Sequence, residues 1–150
     1  MDVLELIKAD HRSIEKLFSE IEKTEDTHKL YDCFNKLYQS LRVHTEVEEQ
    51  SFYPVVGDRQ DTQNLINAAQ KEHDEVKQML EDVSSFSPTS AQFKAKIQEL
   101  KQAFQHHVSE EENEIFAKVS QYISADEREQ LSNKFTSLKQ KLQTEMSVAT

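Results

Sequence analysis

Apolar residues recur along this chain at steps of three and four, the spacing that gathers them onto one face of an α-helix. Val3, Leu4, Ile7, Ile14, Leu17, Phe18 and Ile21 predict a first helix that ends near the polar run at 24–27. Leu30, Phe34, Leu37 and Leu41, continued by Phe52 and Val55, predict a second that closes around Gly57, with Pro54 weakening its last turn. A third stripe, Leu65, Ala69, Val76, Leu80 and Val83, is stopped by residues 84–90 around Pro88. Phe93, Ile97, Leu100, Phe104, Ile115 and Val119 make the fourth. Ser124 with Glu127 three residues on reads as a capping box that opens a fifth helix running toward Met146.

Short turns make consecutive helices antiparallel neighbours, so the expected fold is all-α: an up-down-up-down four-helix bundle over about residues 2–122 and an additional C-terminal helix over about 125–146. A chain of 150 residues fits one domain, 1–150. With Gly 1 and Pro 2 there is almost no hairpin punctuation, which agrees with the helical reading. The fifth stripe, Leu131, Phe135, Leu138 and Leu142, is a packing surface, either for its own bundle or for a second copy, leaving monomer and homodimer both open.

Each of the first four stripes passes through residues that should be apolar and are not. His11 stands between Ile7 and Ile14, and His73 between Ala69 and Val76. The second stripe runs from Leu41 through His44 and Glu48 to Phe52, and the fourth from Phe104 through His107 and Glu111 to Ile115. Residues four apart lie one above the other on a helix, so each His-x-x-x-Glu pair aims two metal-ligand groups into the core. Unpaired buried carboxylates are costly and require a counter-charge. Lys77 could supply one by turning toward Glu48 or Glu111, the ion-pair alternative to a metal.

The four histidines can share one level. His11 stands about 13 residues before the first turn and His44 about 16 after the second helix begins, heights that nearly match at ~1.5 Å per residue. Residues 44–53 also align without gaps on 107–116, and 8–11 on 70–73, so two similar hairpins would build a pseudo-two-fold site for two metals. A lone core histidine is usually only hydrogen-bonded; four on matched seams with two glutamates are a ligand set. His28 and His106 lie off the seams and read as solvated. Glu46, Glu49, Glu110, Glu112 and Glu114 read as exposed faces, with Glu49 and Glu112 as candidates to support the ligands from behind. Phe52, Tyr53, Phe104 and Phe116 flank the ligands and read as core packing that keeps the site dry.

A formal net charge of −10 argues against a nucleic-acid surface. No stretch approaches a membrane span, and the N-terminus, with Asp2 and Glu5, lacks the form of a signal peptide. A single Cys33 suits a reducing compartment and excludes an internal disulfide or thiolate cluster, so the expected location is cytoplasmic.

From Asp10-His11 through His44-x-x-x-Glu48, Glu72-His73 and His107-x-x-x-Glu111 to Ile115-Phe116, the chain resembles the hemerythrin HHE cation-binding family. That resemblance implies a four-helix bundle holding two non-haem iron ions joined by an oxo or hydroxo bridge. It assigns iron-ligand roles to His11, His44, His73 and His107 and bridging roles to Glu48 and Glu111. Oxygen-carrying hemerythrins have a further histidine one turn after the third-helix ligand, where this chain has Lys77. Against two six-coordinate irons, this donor set and one shared oxygen leave roughly two positions open.

The leading functional expectation is therefore a di-iron protein that binds or senses O2, nitric oxide or iron itself through open positions. An enzyme that decomposes peroxide or carries out an oxidase reaction is the alternative. Iron–sulfur-centre repair proteins share the ligand set but typically carry a cysteine-bearing N-terminal domain that this chain lacks. A metal-free interaction bundle leaves the seam glutamates unexplained, and ferritin-like proteins use a Glu-x-x-His spacing that none of the four seam histidines shows.

Overall fold

The computed structural model describes residues 2–149, with side-chain surroundings for 2–146. Its helices are α1 (Val3–Lys23), α2 (Thr27–Val47), α3 (Tyr53–Val56), α4 (Gln60–Ser84), α5 (Ala91–Glu110), α6 (Phe116–Tyr122) and α7 (Ala125–Ala149). α2 passes into α3 through one π-helical turn, Glu48–Phe52, and α5 into α6 through a second, Glu111–Ile115. Counting each pair as one rod, the fold is the expected all-α, up-down-up-down four-helix bundle with an added C-terminal helix.

Local chemistry sets the helix starts. Asp2 accepts from Leu4 N at 2.9 Å, Asp26 from His28 N, and Ser90 from Phe93 N, each satisfying donors that a helix start leaves free. Ser124 caps α7 by accepting from Glu127 N at 3.2 Å, at the position its sequence predicts. Gly57 ends α3 for lack of space rather than for backbone freedom: its φ is −75°, and a Cβ there would meet Tyr53 O at 2.9 Å and Ile66 Cγ2 at 3.1 Å.

Both π turns sit where the histidine-glutamate pairs end. In each, a backbone N–H reaches five residues back, Tyr53 N to Glu48 O and Phe116 N to Glu111 O. The extra residue rotates everything downstream by one position. This corrects the second stripe: Val55 is exposed (38%), and Val56 is buried (1%) in its place. On α4, Ile66 takes the buried place expected for Leu65, which is only partly buried.

The core is two apolar clusters with a polar layer between them. One gathers Val3, Ile7, Val47, Phe52, Val56, Phe116 and Val119; the other gathers Ile14, Phe18, Leu37, Leu80, Leu100 and Phe104. α7 closes the first by packing on α1, α2 and the Glu48–Phe52 turn. Its Leu131 and Phe135 are buried there, worth roughly 3–6 kcal/mol together, so the fifth stripe is a surface for its own bundle. Among the described residues no helix is long and apolar enough to cross a membrane.

Candidate metal centre

The polar layer contains all six of the side chains singled out above. His11 comes from α1, His44 from α2, His73 from α4 and His107 from α5, while Glu48 and Glu111 open the two π turns. None is more than 2% exposed. Their donor atoms form two groups, His11-His44-Glu48-Glu111 and His73-His107-Glu48-Glu111, with ligand atoms within 4.8 Å of one another in each. Both glutamates belong to both groups, so the arrangement can hold two cations side by side with shared carboxylates.

Every imidazole is gripped from behind by a carboxylate. His11 Nδ1 lies 2.7 Å from Glu112, His44 Nδ1 3.1 Å from Asp10, His73 Nδ1 3.1 Å from Glu49, and His107 Nδ1 2.9 Å from Glu72. The pattern has the pseudo-two-fold symmetry of the sequence repeat. The residue before each α1 or α4 histidine holds the histidine of the next helix, and the residue after each buried glutamate holds the remaining pair.

A carboxylate only accepts, so each Nδ1 carries a proton and each Nε2 faces the interior, its lone pair directed inward in the neutral ring. Glu49, although burial favours its neutral form, is held down to about 2 by His73, Lys77 and Gln70. Glu72 is lowered chiefly by His107, and Asp10, against burial, by His44 and Lys139. Of the glutamates expected on exposed faces, Glu49 and Glu112 are thus the supports, whereas Asp10 and Glu72 were given no role by their position in the sequence. An acidic residue next to a ligand on the helix, one step off the seam, is the signal that could have found them.

The interior fits a cation. His11 Nε2, His44 Nε2, both oxygens of Glu48 and Glu111 Oε1 have no hydrogen-bond partner among the described residues. Close approaches do occur, such as His11 Nε2 to Glu111 Oε1 at 3.2 Å, but their geometry is not that of a hydrogen bond. Burial and then the neighbouring Glu111 push the Glu48 carboxyl well above the usual range. Without metal the cage keeps a proton: burial opposes charge on His107, yet Glu111 and Glu72 raise it to about 10, while burial lowers His73 to about 4. Their Nε2 atoms are 3.0 Å apart, which suits one proton between them.

Lys77 does not reach the buried glutamates. It pairs instead with Glu49 at 2.8 Å and stands 3.7 Å from Glu46, which answers the ion-pair alternative. His28 and His106 are exposed, as expected.

Tyr53 departs from its reading as packing. Its hydroxyl donates to Glu111 Oε2 at 2.7 Å and lies 3.0 Å from His73 Nε2. The π turn brings it there, and its counterpart in the repeat is Phe116, so the hydroxyl makes the two halves of the centre unequal.

The hemerythrin HHE cation-binding domain profile matches residues 2–119. The chain belongs to that family. It is similar, at TM-score 0.87 and 20% identity, to a crystal structure of a hemerythrin HHE cation-binding domain-containing protein from Mycobacterium kansasii, over 97% of this chain and 89% of that one. It is also 32% identical over 146 residues to a protein described as a DNA nickase from a Nostoc species, over 95% of this chain; the chain spans about 40% of that relative's length.

Proposed function

We propose that the cage holds two non-haem irons, one between His11 and His44 and one between His73 and His107, with Glu48 and Glu111 shared. We further propose that the centre binds or senses a small ligand, O2, peroxide, nitric oxide or iron itself. The observation that carries this reading is the pair of donor groups sharing two fully buried glutamates, three of whose four oxygens have no hydrogen-bond partner among the described residues. Two adjacent irons would supply exchangeable positions and two redox-active ions in one pocket.

The chain's own contribution is orientation, dryness and one proton. Four carboxylates fix the imidazole tautomers and strengthen the inward donors. The apolar clusters on either side keep bulk water from the centre. Tyr53 donates its proton to Glu111 Oε2 and is the one hydroxyl among the described residues that reaches the ligand atoms. That hydroxyl supports a second reading, decomposition of peroxide or an oxidase reaction, since both need a proton delivered inside the pocket.

The nicking activity in the Nostoc relative's name is not carried over, because a net charge of −10 is a poor match for a phosphate backbone. A cytoplasmic location, as monomer or homodimer, completes the proposal, supported by the lone Cys33 and by α7 covering its own bundle.

Metal quantification on purified protein, with optical spectra under O2, peroxide and nitric oxide and a peroxide turnover assay, tests these readings. A persistent oxygenated band supports binding, and rapid oxygen evolution supports the enzyme. His107→Ala and Glu111→Ala should lower iron content and thermal stability together, because the metal binds only the folded chain. Two irons per chain in both variants would contradict the ligand assignment.

A further inference from the structure

α7 lies beyond the residues that the family profile covers, yet it reaches the metal centre. Lys139 Nζ contacts Asp10 Oδ1, and the other oxygen of the same carboxylate, Oδ2, accepts from His44 Nδ1 at 3.1 Å. The other three supporting carboxylates meet basic side chains of the bundle itself: Arg12 on Glu112, Lys77 on Glu49 and, more loosely, His106 at 3.5 Å from Glu72. Among the described residues, only the His44-Asp10 pair depends on a helix outside the bundle.

Its surroundings make that dependence consequential. A cleft of about 400 Å³ opens between α1, α2 and α7, with Asp10, His44 and Lys139 in its wall. Asp10 itself is 7% exposed. With Lys139 in place the two carboxylate oxygens are divided between ammonium and imidazole. Without it, the cleft offers Asp10 water on the side away from His44, and the carboxylate is free to rotate off the ring.

We propose that α7 is a working part of the metal centre: Lys139 is a positioning residue that, through Asp10, fixes the orientation and tautomer of His44 and so sets how firmly the His11-His44 position holds its ion. This rests on the reading of the cage as a metal centre. Supports of this kind act through ligand geometry and basicity, and losing one typically weakens metal binding ~10–100-fold. Lys139 acts one contact further out, so an effect of about 10-fold is expected.

The test uses the full chain loaded with cobalt(II), whose visible bands report ligand geometry, and follows release to a chelator. Lys139→Met should speed release of one of the two ions about 10-fold, alter its bands and leave the other unchanged. Lys139→Arg should restore the wild-type rate. Adding Lys139→Met to Asp10→Asn should change little beyond Asp10→Asn alone, because both cut the same path. The melting temperature of each metal-free variant separates this from general loosening: the release effect should exceed anything that the metal-free change explains. Wild-type release rates for both ions in Lys139→Met, or effects that multiply in the double variant, overturn the proposal. If the wild-type chain takes up no metal, the metal-centre reading itself fails, a result seen before any variant is made.

Discussion

Glu48→Leu separates a metal cage from a polar network that merely tolerates its carboxylates. Glu48 is completely buried, neither oxygen has a hydrogen-bond partner among the described residues, and burial together with Glu111 holds its carboxyl well above the usual range. An unsatisfied buried polar group costs about 1–3 kcal/mol, and leucine fills similar space without that cost. The metal-free variant should therefore be more stable than the metal-free wild type. For a chain of this size each kcal/mol moves the melting temperature by ~2–4 °C, so the gain should be roughly 2–12 °C. With metal the order reverses. A metal ion at about 1,000 times its Kd stabilises the wild type by about 4.1 kcal/mol, more than the variant's advantage and a gain the variant cannot share. Thermal melts of both proteins in chelator and in metal supply the four values. The reasoning is refuted if metal-free Glu48→Leu melts below metal-free wild type, or if wild type ignores metal.

Three further outcomes follow from the same geometry. Stability of the metal-free protein should fall as pH rises from about 6.5 toward 10: His107 is raised in the fold, so its contribution is present below the ordinary histidine value and lost as it deprotonates, at up to about 1.4 kcal/mol per pH unit. Glu48 acts in the same direction, whereas lowered His73 costs stability as pH falls from 6.5 toward 4; metal should abolish the alkaline loss, and equal metal-free denaturation midpoints at pH 6.5 and 9.5 would argue against this account. Tyr53→Phe removes one partner of Glu111, and should cost the metal-free protein about 1–2 kcal/mol, keep both ions, and change the visible spectrum with nitric oxide or slow peroxide turnover; identical spectra and rates would leave the hydroxyl without a role. Val56→Ala should cost about 2 kcal/mol in chemical denaturation and Val55→Ala less than ~0.5, and the reverse order would place the π-turn register in error.

The helices were legible because their stripes are long and bounded by polar breaks, and the last by a recognisable cap at Ser124. The six inward donors were legible for the same reason, being polar residues on otherwise apolar seams. A π turn has no comparable signature: it changes which residues face inward without changing their identities, so a uniform 3.6-residue step carried past Glu48 selects Val55 instead of Val56. Tyr53 was missed through the same step, since an aromatic residue beside Phe52 reads as packing until the turn aims its hydroxyl at Glu111. Asp10 and Glu72 were missed because each supports a histidine on a different helix, a relation that periodicity within one helix does not contain.

Charge alternates outward through the centre, and that order decides what can neutralise it. Innermost are four imidazoles with Glu48 and Glu111. Behind them stand Asp10, Glu49, Glu72 and Glu112, each bonded to one ring. Behind those stand Lys139, Lys77, His106 and Arg12. A structural ion-pair network would bring a lysine or arginine to the innermost carboxylates, and Lys77 was the residue best placed to do so. It is engaged one layer out, on Glu49, as Arg12 is on Glu112. Since, among the described residues, the lysines and arginines stop at that outer layer, a neutralising charge for Glu48 and Glu111 comes from solution, as a proton held at His107 or as metal ions taken up among the imidazoles.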